Sequence, residues 1–112
     1  MDCLFCKFVS GEIKTEVVYE DKNILAFKDT NPMSNIHILF IPKKHTRNIE
    51  EMCSFGENTN DIMTAITNYV QDHKLNDQGY RIVTNMGEFG GQSIFHTHFH
   101  LLAGEKLGKF GA

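Results

Sequence analysis

The feature that most constrains this chain is a run of alternating histidines, because residues 96–102 read HTHFHLL. On a helix, the first and third histidines would share a face and His98 would point nearly the other way. On a strand, all three imidazoles line one side and the intervening, mostly apolar residues line the other. The alternation therefore favours a strand over 96–102 with one histidine-lined side. A polar, solvent-facing strand and a three-histidine metal site remain as alternatives at this point.

Length and charge limit the remaining classes of protein. The chain has 112 residues, with 11 Lys and Arg against 14 Asp and Glu, and its net charge is −3. This length predicts one domain over 1–112, and this charge is not that of a nucleic-acid-binding protein. The longest apolar runs, such as 38–41, are too short for a membrane helix, which needs about 20 residues. No signal-peptide pattern follows Met1, so we expect a cytoplasmic protein that contacts no membrane.

Periodicity predicts a mixed α+β fold. Residues 16–20 and 24–27 are rich in β-formers around a short polar turn and predict a hairpin, and 36–41 predict a third strand. Apolar residues of 57–75 recur at helical spacing, with Thr59 or Asn60 as the cap and Gly79 shortly past the end. Two more strands are predicted over 80–85 and 96–102. The predicted helix then covers one face of an antiparallel sheet.

Two further motifs flank this pattern. Residues 87–93 read GEFGGQS, and three glycines let backbone N–H groups approach an anion, although such loops also serve as tight connections. Hydrogen-bond donors for phosphate oxygens, placed beside an imidazole nucleophile, would form a phosphoryl-transfer site. Cys3 and Cys6 form a C-x-x-C pair. This spacing is typical of a zinc site or a redox couple, and an inert pair is the third alternative.

Taken together, these stretches resemble the histidine triad (HIT) family, in particular its Hint branch, also called protein kinase C inhibitor-like proteins. HTHFHLL is preceded by GGQS, and the matching stretches upstream are CLFCK at 3–7, VYED at 18–21, AFKDTNP at 26–32 and HILFIPKKH at 37–45. The resemblance ends near residue 104. It implies a five-stranded antiparallel sheet with one main helix and a short helix, a homodimer, and a pocket for a purine nucleotide such as AMP or GMP.

The resemblance also implies roles for individual residues. His98 matches the nucleophile, His100 the histidine that contacts the phosphate, and Ser93 the residue near the leaving group. The remaining matches lie in the nucleotide pocket: Asn85, Gly91 and Gln92 on the phosphate side, Asp29 at the ribose with Thr30 beside it, and His37 as a further histidine. If His98 attacks through one ring nitrogen, a hydrogen bond at the other should fix its tautomer. Asp29 would also suit an Asx turn before Asn31.

Within the family, an N-terminal cysteine pair completes a structural zinc site with two histidines. The matching residues are Cys3, Cys6, His45 and His96, so segment 1–10 would act as a zinc clip. The implied activity is hydrolysis of purine nucleoside 5′-phosphoramidates through a nucleotidyl-histidine intermediate. The alternatives are a dinucleoside polyphosphate hydrolase and a nucleotide-binding interaction protein with incidental catalysis.

Overall fold

The computed structural model describes residues 2–56 and 58–109, which form three helices and five strands. The elements are α1 (Leu4–Ser10), β1 (Val17–Glu20), β2 (Ile24–Lys28), β3 (Ile36–Pro42), α2 (Ile49–Phe55), α3 (Thr59–Asp72), β4 (Arg81–Val83) and β5 (Phe99–Ala103). No helix in these two stretches is long and apolar enough to cross a membrane.

The strands form one sheet in the order β1-β2-β3-β5-β4, and every neighbouring pair is antiparallel. This confirms the predicted α+β class and the five-stranded antiparallel sheet. Strand β3 lies at the centre, where Leu39 is paired with His100 and Phe40 with Phe99 of β5. The central strand is therefore the frame on which β5 is placed.

Alternation along the strands sends side chains to two different cores. Ile38, Phe40, Phe99 and Leu101 face the side on which α3 packs, and all four are buried. Leu39 and its odd-numbered neighbours of β2 and β3 face the other side, where α1 packs. His98 lies on this second side, with its ring 5.2 Å from that of Phe5 in α1. The sequence-based prediction of an apolar and a histidine-lined side is correct.

Several predicted boundaries are wrong by a few residues. The predicted strand 96–102 begins only at Phe99, because the Thr97 N–H donates to the Thr46 carbonyl, beyond the end of β3, at 2.8 Å. The predicted strand 80–85 contracts to Arg81–Val83. The structure has two short helices, α1 and α2, besides the long one, whereas the resemblance implied one short helix.

The long helix is also shorter than the predicted 57–75. Its N-cap is Asn58, rather than Thr59 or Asn60, and Asn58 makes no side-chain capping bond. Gly79 does not end it, because Lys74 already adopts a left-handed φ of 57° and His73 is the C-cap. A positive φ is incompatible with further α-helix, so the helix stops at Asp72.

Candidate active site

One ring nitrogen of His98 is held by a hydrogen bond, and the other has no hydrogen-bond partner among residues 2–56 and 58–109. Its Nδ1 lies 2.7 Å from the carbonyl oxygen of His96. A carbonyl only accepts, so Nδ1 carries the proton and Nε2 holds a lone pair. The His98 carbonyl accepts from the Thr84 hydroxyl at 2.8 Å, and the ring of Phe5 stands perpendicular to the imidazole. The predicted hydrogen bond that sets the tautomer is therefore present.

A second pair of histidines is joined across β3 and β5. Nε2 of His37 lies 2.9 Å from Nδ1 of His100. The Met33 N–H donates to Nδ1 of His37 at 3.0 Å, so a neutral His37 carries its proton on Nε2. That proton is donated to His100, whose own proton must then reside on its Nε2. His100 is thereby prepared to donate a hydrogen bond to an anion.

Burial keeps both of these imidazoles uncharged near neutral pH. Burial, together with the neighbouring His98 and His37, lowers the pKa of His100 to about 4 against the opposing effect of Asp29. The pKa of His37 is lowered by burial as well, which the Asp29 carboxylate partly offsets. The tautomers given above for neutral rings therefore apply at physiological pH.

Asp29 lies at the outer end of this histidine pair. Its Oδ1 accepts from the Asn31 N–H at 2.8 Å, which is the Asx turn that the sequence suggested. Its Oδ2 lies 3.4 Å from Nε2 of His37, near the proton that His37 donates to His100. Thr30 follows it and is exposed. The carboxylate thus has one oxygen engaged in the turn and the other beside the imidazoles.

The glycine-rich segment forms a closed turn over 87–91. Gly90 is required there, because an added Cβ would lie 2.4 Å from the carbonyl oxygen of Met86. The N–H groups of Gly91 and Gln92 donate to carbonyls of the same loop, each at 3.0 Å. Asn85 also donates inward, to the Gly90 carbonyl at 2.6 Å. In this arrangement the loop is held by its own backbone donors.

The side chain of Gln92 fastens this loop to the rest of the protein. Its amide oxygen accepts from the Gly87 N–H at 3.0 Å, and its amide nitrogen donates to the carbonyls of Arg47 and Ile94 at 2.6 and 3.1 Å. The next residue, Ser93, is exposed, and within the described chain its hydroxyl makes no hydrogen bond. Ser93 is therefore the residue of the GGQS sequence whose side chain is available to a ligand.

At the other end of the site, Cys3, Cys6, His45 and His96 converge, with all their ligand atoms within 4.8 Å of one another. Nδ1 of His96 lies 3.4 Å from Sγ of Cys3 and 3.2 Å from Nδ1 of His45. Sγ of Cys6 lies 3.2 Å from Nδ1 of His45. Two thiols and two imidazoles in this arrangement could hold a metal ion.

The protonation chemistry of His96 and Cys6 suits that role. Nε2 of His96 donates to the Pro42 carbonyl at 2.8 Å, which leaves the lone pair of Nδ1 directed at the cluster. Burial lowers the pKa of His96 to about 4, so the ring is neutral, as a metal ligand must be. Burial and the adjacent Cys3 raise the pKa of Cys6 to about 11. A cation between the thiols would offset the energetic cost of deprotonating Cys6.

The structure thus brings the predicted residues together in two groups. His98, His100, His37 and Asp29 form one group, and the cysteine-histidine cluster forms the other. Sequence reasoning missed the groups that orient the imidazoles, which are the carbonyls of His96 and Pro42 and the N–H of Met33. Backbone atoms carry no residue-specific signal, so no motif could have revealed them.

Comparison with known proteins places this constellation in a family. The family model for the HIT domain matches residues 10–107. The chain belongs to the histidine triad family. Segment 1–9, with both cysteines of the cluster, lies outside the matched range.

Individual relatives extend the same likeness. An uncharacterized HIT-like protein of Methanocaldococcus jannaschii is 40% identical over 105 residues, covering 89% of this chain and 77% of its own. The crystal structure of a HIT family hydrolase from Legionella pneumophila is 41% identical, with a TM-score of 0.93 and coverage of 99% and 100%. A histidine triad nucleotide-binding protein from Candida albicans is 28% identical, with a TM-score of 0.82 and coverage of 96% and 82%.

The half-buried His100 predicts a pH-dependent stability. Its pKa of about 4 in the folded chain lies below the ordinary value of 6.5, so between these values the unfolded chain binds more protons. The free energy of unfolding should therefore fall as the pH is lowered from 6.5 to 4. In a His100→Phe variant this fall should be smaller, as measured by urea unfolding at a series of pH values.

The control is His73→Phe, which removes an exposed histidine at the end of α3. It should keep the pH dependence of the original chain. Equal slopes in the original chain and in His100→Phe would contradict the assignment of a neutral His100 with a lowered pKa.

Proposed function

We propose that this HIT-family protein hydrolyses purine nucleoside 5′-phosphoramidates, with His98 as the nucleophile. The observation that carries the proposal is the tautomer of His98. Its Nδ1–H is held by the His96 carbonyl, which leaves Nε2 as an unprotonated nucleophile. A free imidazole lone pair next to a histidine that donates a hydrogen bond suits attack on a phosphorus atom.

In the proposed first step, Nε2 of His98 attacks the α-phosphorus and the bond between phosphorus and the leaving nitrogen breaks. The departing amine takes up one proton from solvent, and we expect the Ser93 hydroxyl to contact it there. In the second step, water attacks phosphorus, the P–Nε2 bond breaks, and the two protons of this water pass to solvent, one of which replaces the proton taken up in the first step. The products are the nucleoside monophosphate and the free amine.

The neighbouring residues would support both steps. The proton on Nε2 of His100 would be donated to a phosphate oxygen, and its orientation follows from the contact with His37. We propose that Asp29 accepts hydrogen bonds from the ribose hydroxyls, with Thr30 beside it. Three residues are proposed to form the phosphate side of the nucleotide pocket: Asn85, Gly91 and Gln92. Since Asn85 already donates to the Gly90 carbonyl, and Gln92 to the carbonyls of Arg47 and Ile94, we propose that they act by holding the loop.

The names of two relatives support the proposal, since one is called a hydrolase and the other a nucleotide-binding protein. The main alternative in the same family is hydrolysis of dinucleoside polyphosphates. A nucleotide-binding interaction protein with incidental catalysis is the alternative outside enzymology. Turnover of an adenosine phosphoramidate compared with a dinucleoside polyphosphate separates the first two, and absence of both reactions favours the third.

Replacement of the nucleophile tests the proposal directly. In a His98→Asn variant, phosphoramidate hydrolysis should fall by roughly 10⁴-fold or more, because no other group can form the covalent intermediate. AMP should still raise the melting temperature of this variant, since binding does not need the nucleophile. Lys22→Gln, in the exposed β1–β2 turn, is the control and should keep full activity. Near-normal turnover by folded His98→Asn would overturn the mechanism.

We further propose that the cysteine-histidine cluster holds a structural zinc ion. A tetrahedral zinc with Zn–S of about 2.3 Å and Zn–N of about 2.0 Å separates its ligand atoms by roughly 3.3–3.8 Å. The separations between Cys6, His45 and His96 are 3.2, 3.6 and 3.2 Å, which agrees with this spacing. The ion would connect the N-terminal segment to the chain just before β5 and supply no step of the reaction.

Elemental analysis should find about one zinc per chain, and a Cys3→Ser/Cys6→Ser variant should lose it. Loss of the metal should lower the melting temperature more than the turnover number, because the ligands join distant segments. The exposed Cys53 offers a control, and Cys53→Ser should retain the metal. If chelation abolished turnover without unfolding, and zinc restored it, the nucleophilic-histidine mechanism would be wrong.

The proposed homodimer would pair the surface of β4 and α3 with its copy. Strand β4 is an edge of the sheet, and Tyr80, Ile82 and Met86 are 36%, 37% and 39% exposed there. An apolar sheet edge gains stability when a second copy covers it.

Light scattering should therefore give twice the chain mass, and Ile82→Glu should convert the protein to monomer. Ile13 is 39% exposed but lies in a different part of the chain, so Ile13→Glu is the matched control and should remain dimeric. A monomeric original chain at micromolar concentration would refute the pairing.

A further inference from the structure

A cavity of about 300 Å³ lies on the α3 side of the sheet, where the end of β2 and the start of β3 meet the last turn of α3. We call it the α3 cavity. Its apolar lining is Ile36, Ile38 and Leu75. Ile36 and Ile38 flank His37 in β3 and pack with the α3 core, so they project to the side opposite the His37 imidazole. The α3 cavity is therefore separated from the imidazole pair by the sheet.

A polar group in the lining of the α3 cavity has no partner in the protein. Tyr69 lines the cavity and is 9% exposed, and its hydroxyl makes no hydrogen bond with any residue of 2–56 and 58–109. In the same ranges, no fully buried side-chain nitrogen or oxygen lacks a partner. The phenol oxygen must therefore be the accessible part of this otherwise buried side chain, and the cavity is where it is accessible.

Two aromatic neighbours fix the direction of this hydroxyl. The His73 imidazole stacks on the Tyr69 ring, with the centroids 4.0 Å apart, and Phe40 contacts the ring edge-on at 5.9 Å. Nδ1 of His73 donates to the Tyr69 carbonyl at 3.0 Å, which holds the stacked imidazole in place. The hydroxyl is therefore oriented before any ligand binds, which lowers the entropic cost of binding.

A cation borders the same cavity. Lys28 is paired with Ile38 in the β2–β3 ladder, so both side chains lie on the α3 side. Burial raises the pKa of Tyr69 and the charge of Lys28 opposes this rise, so the ammonium lies near a phenol that is protonated at neutral pH. Nζ of Lys28 also lies 2.9 Å from Glu16, but both side chains are more than half exposed, and such ion pairs are weak. The phenol O–H and the ammonium can therefore meet one anionic group.

The acid at the border of the α3 cavity is Asp29, and its carboxylate is engaged elsewhere. Its Oδ1 accepts from the Asn31 N–H at 2.8 Å, and its Oδ2 lies 3.4 Å from Nε2 of His37. The backbone N–H of Asp29 donates to the His37 carbonyl at 3.0 Å, which continues the β2–β3 pairing at this point. This backbone pairing separates the Asp29 carboxylate from an anion bound on the α3 side.

We propose that the α3 cavity is a second binding site, and that its ligand is a small carboxylic acid with an apolar alkyl or aryl body. The carboxylate accepts from the Tyr69 hydroxyl and from Lys28, and the apolar body contacts the apolar lining. A wholly polar anion such as phosphate would leave that lining in contact with water. The volume is at the lower end of small-molecule sites, roughly 300–1,000 Å³, so the ligand is about the size of one ring with a short chain. This inference does not depend on the proposed hydrolase activity.

The test uses 3-phenylpropionate as the probe, with 3-phenylpropanamide as a neutral ligand of nearly the same shape. Titration calorimetry on the full chain should show saturable binding of the acid, about tenfold tighter than that of the amide, because only the acid forms charge-assisted hydrogen bonds. Equal affinity for the two would overturn the assignment to a carboxylate. Absence of saturable binding up to about 10 mM, the range expected of so small a ligand, would overturn the site itself.

Tyr69→Phe should weaken binding of the acid about tenfold, since it removes one hydrogen bond to a charged acceptor. Its urea unfolding midpoint should remain that of the original chain, because the hydroxyl has no partner among residues 2–56 and 58–109. Tyr80→Phe removes an exposed hydroxyl just before β4 and is the matched control, with unchanged affinity. Unchanged affinity in Tyr69→Phe would refute the proposal. A marked loss of stability in that variant would also refute it, because the hydroxyl would then serve folding.

Lys28→Gln should remove most of the preference for the acid over the amide, since it removes the cation from the border of the cavity. Lys22→Gln takes the same charge from the exposed β1–β2 turn and should keep the preference of the original chain. An unchanged preference in folded Lys28→Gln would overturn the role of Lys28.

Competition with AMP separates the α3 cavity from the proposed nucleotide pocket on the other side of the sheet. The affinity for 3-phenylpropionate should be the same with and without an excess of AMP. Displacement of the acid by AMP would place it in the nucleotide pocket and overturn the proposal. A chain that binds the acid through Tyr69 but hydrolyses no phosphoramidate would refute only the hydrolase.

Discussion

The pairing of β3 with β5 is the constraint on which the rest of the site depends. With Leu39 opposite His100, the side chains of His37 and His100 meet on one side of the sheet. Where the two strands separate beyond this ladder, their extensions bring His45 beside His96. One register thus fixes both the imidazole pair and the cysteine-histidine cluster. A shift of one residue would turn every side chain of β5 to the opposite face.

The site depends on imidazoles that are kept neutral and in defined tautomers. Burial lowers the pKa values of His96 and His100 to about 4, so both rings are uncharged near neutral pH. Backbone groups then decide which nitrogen keeps its proton, at His98 through the His96 carbonyl and at His37 through the Met33 N–H. The sheet therefore prepares a lone pair at His98 and a donor at His100 before any ligand arrives.

Charge is distributed unequally around this neutral centre. Asp29 lies at one end, beside the His37–His100 pair, while Arg47 lies on the Ser93 side with no carboxylate near its guanidinium in the described chain. The position of Asp29 beside the imidazole pair is the physical basis for proposing a ribose at that end.

The sequence by itself determined that the histidines of residues 96–100 share one side of a strand. It also determined the order of the functional motifs along the chain and the resemblance to the HIT family. These properties follow from short-range periodicity and from residue types, both of which are written in neighbouring positions. It also implied the Cys3, Cys6, His45 and His96 set, because the spacing of the cysteines and the family pattern are explicit. The requirement for a hydrogen bond to His98 followed from the nucleophilic role that the resemblance implied for this residue.

Only the tertiary structure decided where β5 begins, which backbone atoms orient the imidazoles, and that Gln92 fastens the glycine-rich loop to the Arg47 carbonyl. The start of β5 depends on the contact between Thr97 and Thr46, which are 51 residues apart. The hydrogen bond from Gln92 to the Arg47 carbonyl depends on the same approach of two distant segments. Such contacts form between groups that every residue possesses, so they are specified by the packing of the whole sheet rather than by any local pattern of side chains.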